Sequence, residues 1–341
     1  MMWMPSTIWS DEKIMNMYLS SVPKQYGYDV KLTAVPGTKR KQIIIYKPKG
    51  RDALNYTDLH TDPLIRLRDM EKAGVDKALL THPCWEEWFN LDACRKVNTL
   101  MARYVDKHPD KLMGLAIAPP WGDDESLDEL DRAVKDLHLS GVECAAHYGE
   151  LYLDAPELRA YFKKLNQLNV PVVVLHTPEP VGLHSLDDFT NPRRFYGRII
   201  DQMVSVSRIL YSGMLDDCPN LKLILTHMGG GLFAFTNFVK VPPLPTKEDV
   251  GRFDSQSEKI ERYLSKNIYY DVTQPTQWTN SQLECAVKEV GAGHMLYGAS
   301  YPIRLDWFFN GVQRIRSLGI SEREKNLILG ENAVKLFKIR T

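Results

Sequence analysis

Seven short apolar runs recur along the chain, each followed by residues with helical spacing. The runs are 77–81 (DKALL), 112–118 (LMGLAIA), 141–146 (GVECAA), 170–175 (VPVVVL), 221–225 (LKLIL), 267–272 (NIYYDV) and 294–298 (HMLYG). Short, nearly continuous apolar runs suit parallel strands buried on both faces. Helical spacing marks 63–73, 90–107, 126–138, 156–168, 196–217, 255–266, 279–290 and 321–337. Asp62 before Pro63 reads as an N-cap. Gly74, Gly141 and Gly291 read as C-caps. Strands alternating with helices imply βαβ units and a parallel sheet. With Met1–Trp9 as one further strand the count reaches eight. The expected fold is therefore α/β, a (β/α)8 TIM barrel, in one domain over residues 1–341. Residues 10–62 read as an N-terminal insertion with a helix near Asp11–Ser20 and a β-ribbon at Lys41–Tyr46. Residues 240–253 hold three prolines and read as a loop, either a lid or an oligomer contact.

Composition narrows the class. The 341 residues include 43 Lys and Arg against 43 Asp and Glu, for a net charge of zero. That balance argues against a nucleic-acid partner, whose footprint is basic. Hydrophobic residues at 44% and charged residues at 25% are ordinary for a soluble globular chain rather than a disordered one. No apolar run approaches the ~18 residues of a membrane span. The start lacks the basic and apolar regions of a secretory signal. Cys84, Cys94, Cys144, Cys218 and Cys285 are scattered, odd in number and without a C-x-x-C pair. They read as free thiols in a reducing cytoplasm.

In a barrel of this kind chemistry sits at the C-terminal ends of the strands. Those ends carry His82, His147, His176, His227, Asp271 and Ser300. A histidine there can simply bond a carbonyl at the rim. His176 and His227, each closing an apolar run, together point to acid/base work or metal ligation. His60 lies between Asp58 and Asp62 in the manner of a metal cluster, but the capping role of Asp62 opposes that. His108, His138, His184 and His294 fall in helices, loops or a strand start and suit surface or packing roles. Gly229-Gly230-Gly231 permits a close backbone approach or a sharp turn. It lacks the spacing of a phosphate loop. Arg304 has the fork for a substrate carboxylate, or for an ordinary loop salt bridge. No G-x-S-x-G elbow occurs. Trp3, Trp9, Trp85, Trp88, Tyr148, Trp278 and Tyr301 fall near predicted loop ends, where they suit a planar substrate as well as a core.

Five segments carry a family resemblance: LTHMGGGLFAF, VVLHTPEP, YYDVTQ, LYGASYP and DPLIRLRDMEKAGVDKALL. With them goes a late G-x-N-A-x-x-L-F pattern at Gly330, Asn332, Ala333, Leu336 and Phe337. Over Asp58–Phe337 the chain resembles the amidohydrolase-related barrel enzymes. It is most similar to their decarboxylase branch, which includes aminocarboxymuconate semialdehyde and resorcylate decarboxylases. The resemblance implies a divalent metal held by H-x-H on the first strand, a His after strand five and an Asp after strand eight. A further His after strand six serves acid/base chemistry or orients the metal-bound water. His176 matches the strand-five position and His227 the strand-six position.

The other positions depart. The start reads Met2-Trp3-Met4-Pro5-Ser6-Thr7, and no His precedes His60. The usual G-[ST]-D-Y-P reads Gly298-Ala299-Ser300-Tyr301-Pro302, so Ser300 stands where the Asp would be. Ser is a poor ligand for Zn(II) or Mn(II). No cofactor is therefore expected. The alternative is Zn(II) or Mn(II) held by Asp271, Glu143 or His147 as substitutes. The expected function is a metal-independent, decarboxylase-like lyase for a small activated carboxylic acid, planar or aromatic. His227 and His176 are the catalytic candidates. Arg304, Asp271, Ser300, Tyr301 and His147 are the substrate-binding candidates. A hydrolase, hydratase or cyclase on this scaffold, a metal-dependent decarboxylase and a non-catalytic binding homologue are the alternatives. The resemblance also implies a homodimer; no membrane partner is expected.

Overall fold

The computed structural model describes the chain except residues 25–26, 48–51, 187, 243–252, 254–255 and 340–341. Most of the expected 240–253 loop therefore lies outside the described residues. The strands are β1 (Asp29–Ala34), β2 (Lys41–Tyr46), β3 (Asp52–Tyr56), β4 (Ala78–Leu80), β5 (Leu112–Ala116) and β6 (Gly141–Ala145). They continue as β7 (His147–Tyr148), β8 (Leu151–Tyr152), β9 (Pro171–Leu175), β10 (Lys222–Leu225), β11 (Ile268–Val272) and β12 (Met295–Tyr297). The parallel strands take the order β4-β5-β6-β9-β10-β11-β12. Helices alternate with them, and the fold is α/β of the TIM-barrel kind.

Contacts group the chain into two compact units. The first comprises Met1–Pro119, Asp123–Glu143 and Ser300–Phe309. Here β4 pairs in parallel with β5, and β5 with β6. The helix Pro63–Ala73 begins as the sequence implies: Asp62 accepts from the Leu64 and Ile65 amides, and Gly74 ends it at φ 68. Asn98, on the helix Leu91–Val105, is buried and clamps the chain after β5. Its amide donates to Ile117 O at 2.8 Å, and its oxygen accepts from Ile117 N at 3.0 Å.

Three features of this unit differ from expectation. Met1–Trp9 is not a strand. Met2 forms a single parallel bridge with Thr81 and donates to Tyr301 O at 2.9 Å. Pro5 then leads into a 3-10 turn at Ser6–Trp9; without an N–H, Pro cannot extend the ladder. The ribbon has three strands in antiparallel order β1-β2-β3. Strand β1 is exposed at nearly every position, so no buried face marks it in the sequence. Gly141 opens β6 rather than capping a helix. The preceding helix ends through a π-turn at Arg132–Asp136, and His138 takes the positive φ of 55.

The second unit comprises Pro120–Gly122, Cys144–Ala299 and Asn310–Thr341. In it β9, β10, β11 and β12 pair in parallel and in sequence. Strands β7 and β8 form a two-residue ribbon. The helix Arg198–Tyr211 follows a π-turn at Arg193–Gly197. A capping box at Thr279 and Gln282 starts the helix Asn280–Val290, and Gly291 follows its end.

Candidate active site

In the second unit His176 follows the last residue of β9, and His227 follows β10 and Thr226. Thr226 closes the end of β10 onto β9, donating from Oγ1 to Val174 O at 3.0 Å. The five residues His227 to Gly231 then all take positive φ, at 53, 55, 59, 72 and 79. This left-handed turn explains the three glycines. Left-handed backbone costs a non-glycine residue about 1–2 kcal/mol, a cost His227 and Met228 bear. At Gly230 a Cβ would run into Ile199 O and the Met203 amide of the helix Arg198–Tyr211. The turn aims the His227 ring edge-on at His176, with centroids 5.0 Å apart and planes at 90°. The His227 amide is held by Thr273 Oγ1 at 3.1 Å.

Both rings are buried, and both nitrogens of His176 and Nδ1 of His227 lack a hydrogen-bond partner. Burial, aided by the positive charge of Arg198, pushes His227 down to about 3. Burial also drives His176 well below the ordinary imidazole value, with Arg198, His227, Arg194 and Arg193 acting in the same direction. The pair is therefore neutral near neutral pH and sits in a positive field.

That field comes from the helix Arg198–Tyr211 and the turn before it. Arg198, Asp201, Gln202 and Ser205 form a buried stripe at helical spacing. A polar stripe facing inward is the reverse of the usual pattern, in which the buried stripe is apolar. Gln202 Nε2 donates to Val174 O at 3.3 Å, and Arg193 Nη1 donates to Pro178 O at 3.3 Å. The sequence reading missed Arg198, Arg193, Asp201 and Thr273. The inverted polarity at 198, 201, 202 and 205 was the signal available for the helix residues.

His147 is engaged at both ring nitrogens. Nδ1 meets Gly149 O at 2.7 Å, and Nε2 lies 3.2 Å from both Asp201 Oδ1 and Thr177 Oγ1. Burial alone would lower its affinity for a proton, but Asp201, the Gly149 carbonyl and Glu150 together outweigh burial and raise it. Asp271, on β11, is half-buried with Oδ1 enclosed and unpartnered, and desolvation pushes its carboxyl up to about 6. A Cβ at Gly298 would collide with that carboxyl, so this glycine makes room for it.

Ser300, Tyr301 and Arg304 lie in the first unit. Tyr301 is a core residue there: its hydroxyl donates to Asp69 Oδ2 at 3.0 Å, and its ring packs on Phe308. Arg304 is exposed and gives its fork to Asp306 at 2.8 and 2.7 Å, the loop salt bridge rather than a carboxylate anchor. Ser300 takes a positive φ of 49 and accepts at its carbonyl from Ile303 N. His60 is buried and accepts from the Thr57 amide at its Nδ1, while Asp62 caps a helix, so neither points to a metal. Of the aromatic candidates, Trp3 and Trp85 are fully buried in the first unit. In the second, Trp278 Nε1 donates to Thr273 O at 3.3 Å.

The first unit also buries a group of its own. The His82 amide donates to Glu143 Oε1 and Oε2 at 3.1 and 2.8 Å. Burial lowers His82 to about 3 and raises Glu143 and Glu86 well above the usual carboxylate value, Glu143 acting on Glu86 as well.

Among the described residues no three His, Cys, Asp or Glu side chains converge in a way that could hold a metal ion. The position of the expected Asp offers only the Ser300 hydroxyl. This donor set does not fit the divalent ion that the family likeness implies.

The sequence profile of the amidohydrolase family matches residues 86–339. The γ-resorcylate decarboxylase of a Rhizobium species is 26% identical over 270 residues, covering 73% of this chain and 77% of that protein. The 2-amino-3-carboxymuconate-6-semialdehyde decarboxylase of Dictyostelium discoideum is 26% identical over 287 residues, covering 80% and 76%. A solved dihydroxybenzoic acid decarboxylase from Polaromonas, with bound manganese and the inhibitor 2-nitroresorcinol, superimposes with a TM-score of 0.73. It shares 23% identity and covers 83% of this chain and 89% of its own, a likeness of fold.

Proposed function

From a chain that belongs to the amidohydrolase family, we propose a lyase that removes CO2 from a small aromatic hydroxy acid without a metal step. The observation that carries this reading is the buried His176–His227 pair, with ring centroids 5.0 Å apart, kept neutral by burial and by the positive charge of Arg198. The names of the relatives, decarboxylases of resorcylate and of a carboxymuconate semialdehyde, support the substrate class.

Arg198 holds the substrate carboxylate in this reading, taking the role first given to Arg304. His227, unprotonated at rest, accepts the proton of the ring hydroxyl ortho to the carboxylate. It returns that proton to the ring carbon bearing the carboxylate, and the ring becomes a ketone tautomer. The carbon–carboxylate bond then breaks, and its electron pair flows to the ring oxygen. CO2 and a phenolate leave, and the phenolate takes a proton from water. An imidazole of low basicity releases its borrowed proton readily, which suits delivery to carbon. His176 is the edge-on neighbour that orients His227, and Asp271 lies on the adjacent strand as a binding group.

A homodimer is part of the reading. The exposed Phe189, Tyr196 and Phe238 of the second unit offer apolar surface that a second copy would cover. A reducing cytoplasm is supported by the five free cysteines. No helix among the described residues is long and apolar enough to cross a membrane.

Turnover of 2,6-dihydroxybenzoate in D2O tests the chemistry. The expected product carries deuterium at the carbon that lost CO2. His227→Asn is expected to lower kcat by about 10²–10⁴-fold, the range for losing a general acid/base. Hydrolysis of an ester analogue in place of CO2 release would move the assignment to a hydrolase. A full-rate His227→Asn would remove His227 from the mechanism.

A further inference from the structure

Thr273 takes no part in the reaction drawn above, yet its side chain holds the backbone of His227. It follows β11 and is buried. The pairing of β10 with β11 runs as far as Leu225 and Tyr270. Beyond that point the chain leaves the sheet for its left-handed turn, which His227 enters at φ 53. There the His227 amide donates to Thr273 Oγ1 at 3.1 Å, so a side chain replaces the ladder partner of a continuing strand. The other flank is tied in the same manner. Thr226, just before His227, gives both its amide and its hydroxyl to Val174 O of β9, at 3.2 and 3.0 Å. The Gly229 amide then closes back onto Thr226 O at 3.0 Å.

A left-handed backbone is unfavourable for histidine and persists only where neighbours over-determine it. A buried amide also has to be paired. A hydroxyl serves that amide as acceptor when its own proton is turned elsewhere. Thr273 favours the charged form of the Asp271 carboxyl, two residues earlier on its strand, which gives that proton somewhere to turn. Branching at Cβ stiffens the threonine side chain. The Thr273 carbonyl is engaged as well, accepting from the Trp278 indole at 3.3 Å. Side chain and main chain of Thr273 are therefore both held.

We propose that Thr273 is a positioning residue: its hydroxyl fixes the His227 amide at the start of the left-handed turn and so sets the direction in which the His227 ring meets His176. The kinetic consequence rests on the decarboxylase reading, and the structural one does not. Without the hydroxyl, the backbone of His227 relaxes and its ring leaves the edge-on setting. Proton delivery to the ring carbon slows. The substrate carboxylate, held by Arg198 from a different element, binds as before. The loss therefore falls on kcat rather than on KM.

The first test needs no substrate. Hydrogen exchange at the His227 amide is followed by NMR in the intact protein. Thr273→Val keeps the size and the branching but offers no acceptor. It is expected to speed exchange at His227 by about tenfold, the scale of one hydrogen bond. The Trp278 indole proton, held by the Thr273 carbonyl, is the internal control and is expected to keep its rate. Thr273→Ser is expected to restore protection at His227. Thr273→Ala removes the same acceptor with less bulk and covers the case in which Thr273→Val does not fold. A His227 amide that stays protected in the valine or alanine variant would overturn the inference. So would equal loosening at His227 and at the Trp278 indole, which marks a general disturbance of the strand end.

The second test is turnover of 2,6-dihydroxybenzoate. Thr273→Val is expected to lower kcat by about 10²-fold, the scale of a misplaced catalytic group, with KM within about twofold. Thr273→Ser is expected to recover most of that loss. A rise in KM with kcat unchanged contradicts the inference, as does a serine variant as slow as the valine one. If the His227 amide responds as expected and the unmodified protein releases no CO2 from this or related hydroxybenzoates, the decarboxylase reading fails and the positioning role stands.

Discussion

Glu86 and Glu143 show how a single buried residue sets a pH dependence. Both carboxyls are buried, and both Glu86 oxygens lack a hydrogen-bond partner. Burial raises both proton affinities well above the usual value. A raised carboxyl favours the folded state in acid, below the unfolded value of 4.5. That contribution is lost as pH rises toward the folded value, where ionisation becomes a penalty. Glu86→Gln is therefore expected to change little near pH 4. Near pH 7 it should stabilise the protein by about 1–3 kcal/mol, the scale of a buried polar group without a partner. Urea melts at both pH values measure it, and a loss of stability near pH 7 would count against a buried, strained carboxyl. Residue chemistry was partly legible beforehand. The strand-end rule placed His176 and His227 just past β9 and β10, and Asp271 on β11, where the structure has them. It found His82 and His147 as well, but could not say that His147 is fully engaged. Partners such as Asp201 lie distant in sequence and carry no local signature.

At the scale of elements, the turn after β10 matters most to the site. Gly230→Ala must place a Cβ against Ile199 O and the Met203 amide at a positive φ of 72. The expected cost is about 2–5 kcal/mol, summing a left-handed residue and an overpacked contact. Activity should fall with it, because the same turn aims His227. Asp62→Ala is the contrasting case. It removes a helix cap remote from the pair in sequence and should cost about 1 kcal/mol with kcat unchanged. Thermal melts together with kcat separate the two, and equal behaviour in both would contradict the role given to the turn. Elements held by local rules were readable from the sequence. The apolar runs gave β5, β9, β10, β11 and β12 nearly in place, and Asp62, Gly74 and Gly291 marked their helix ends. Elements set by tertiary context were not. Strand β1 has no buried face, Met1–Trp9 yields to Pro5, and the stop before β6 uses His138 instead of Gly141.

For the whole molecule, four buried histidines set the acid side of stability. Burial lowers His60, His82 and His227 to about 3 and His176 well below its usual 6.5. A histidine lowered in the folded state contributes stability above 6.5 that is lost as pH falls toward the folded value. Glu86, Glu143 and Asp271 act oppositely, since their raised affinities favour folding as pH falls. Four lowered histidines oppose three raised carboxyls, while His147, raised above 6.5, is protonated in both states over most of the range, so stability should decline on acidification from about pH 6 to pH 4.5. Chemical denaturation across that range checks the sign; a rise in stability would show that one or more of these histidines is charged in the folded protein. The central claim is that the neutral His176–His227 pair carries decarboxylation without a metal. Its most direct measurement is release of labelled CO2 from carboxyl-13C 2,6-dihydroxybenzoate by protein freed of metal with a chelator. The account predicts labelled CO2 at a rate indifferent to chelator and abolished in His227→Asn. Release that stops with chelator and returns with Mn(II) would contradict it.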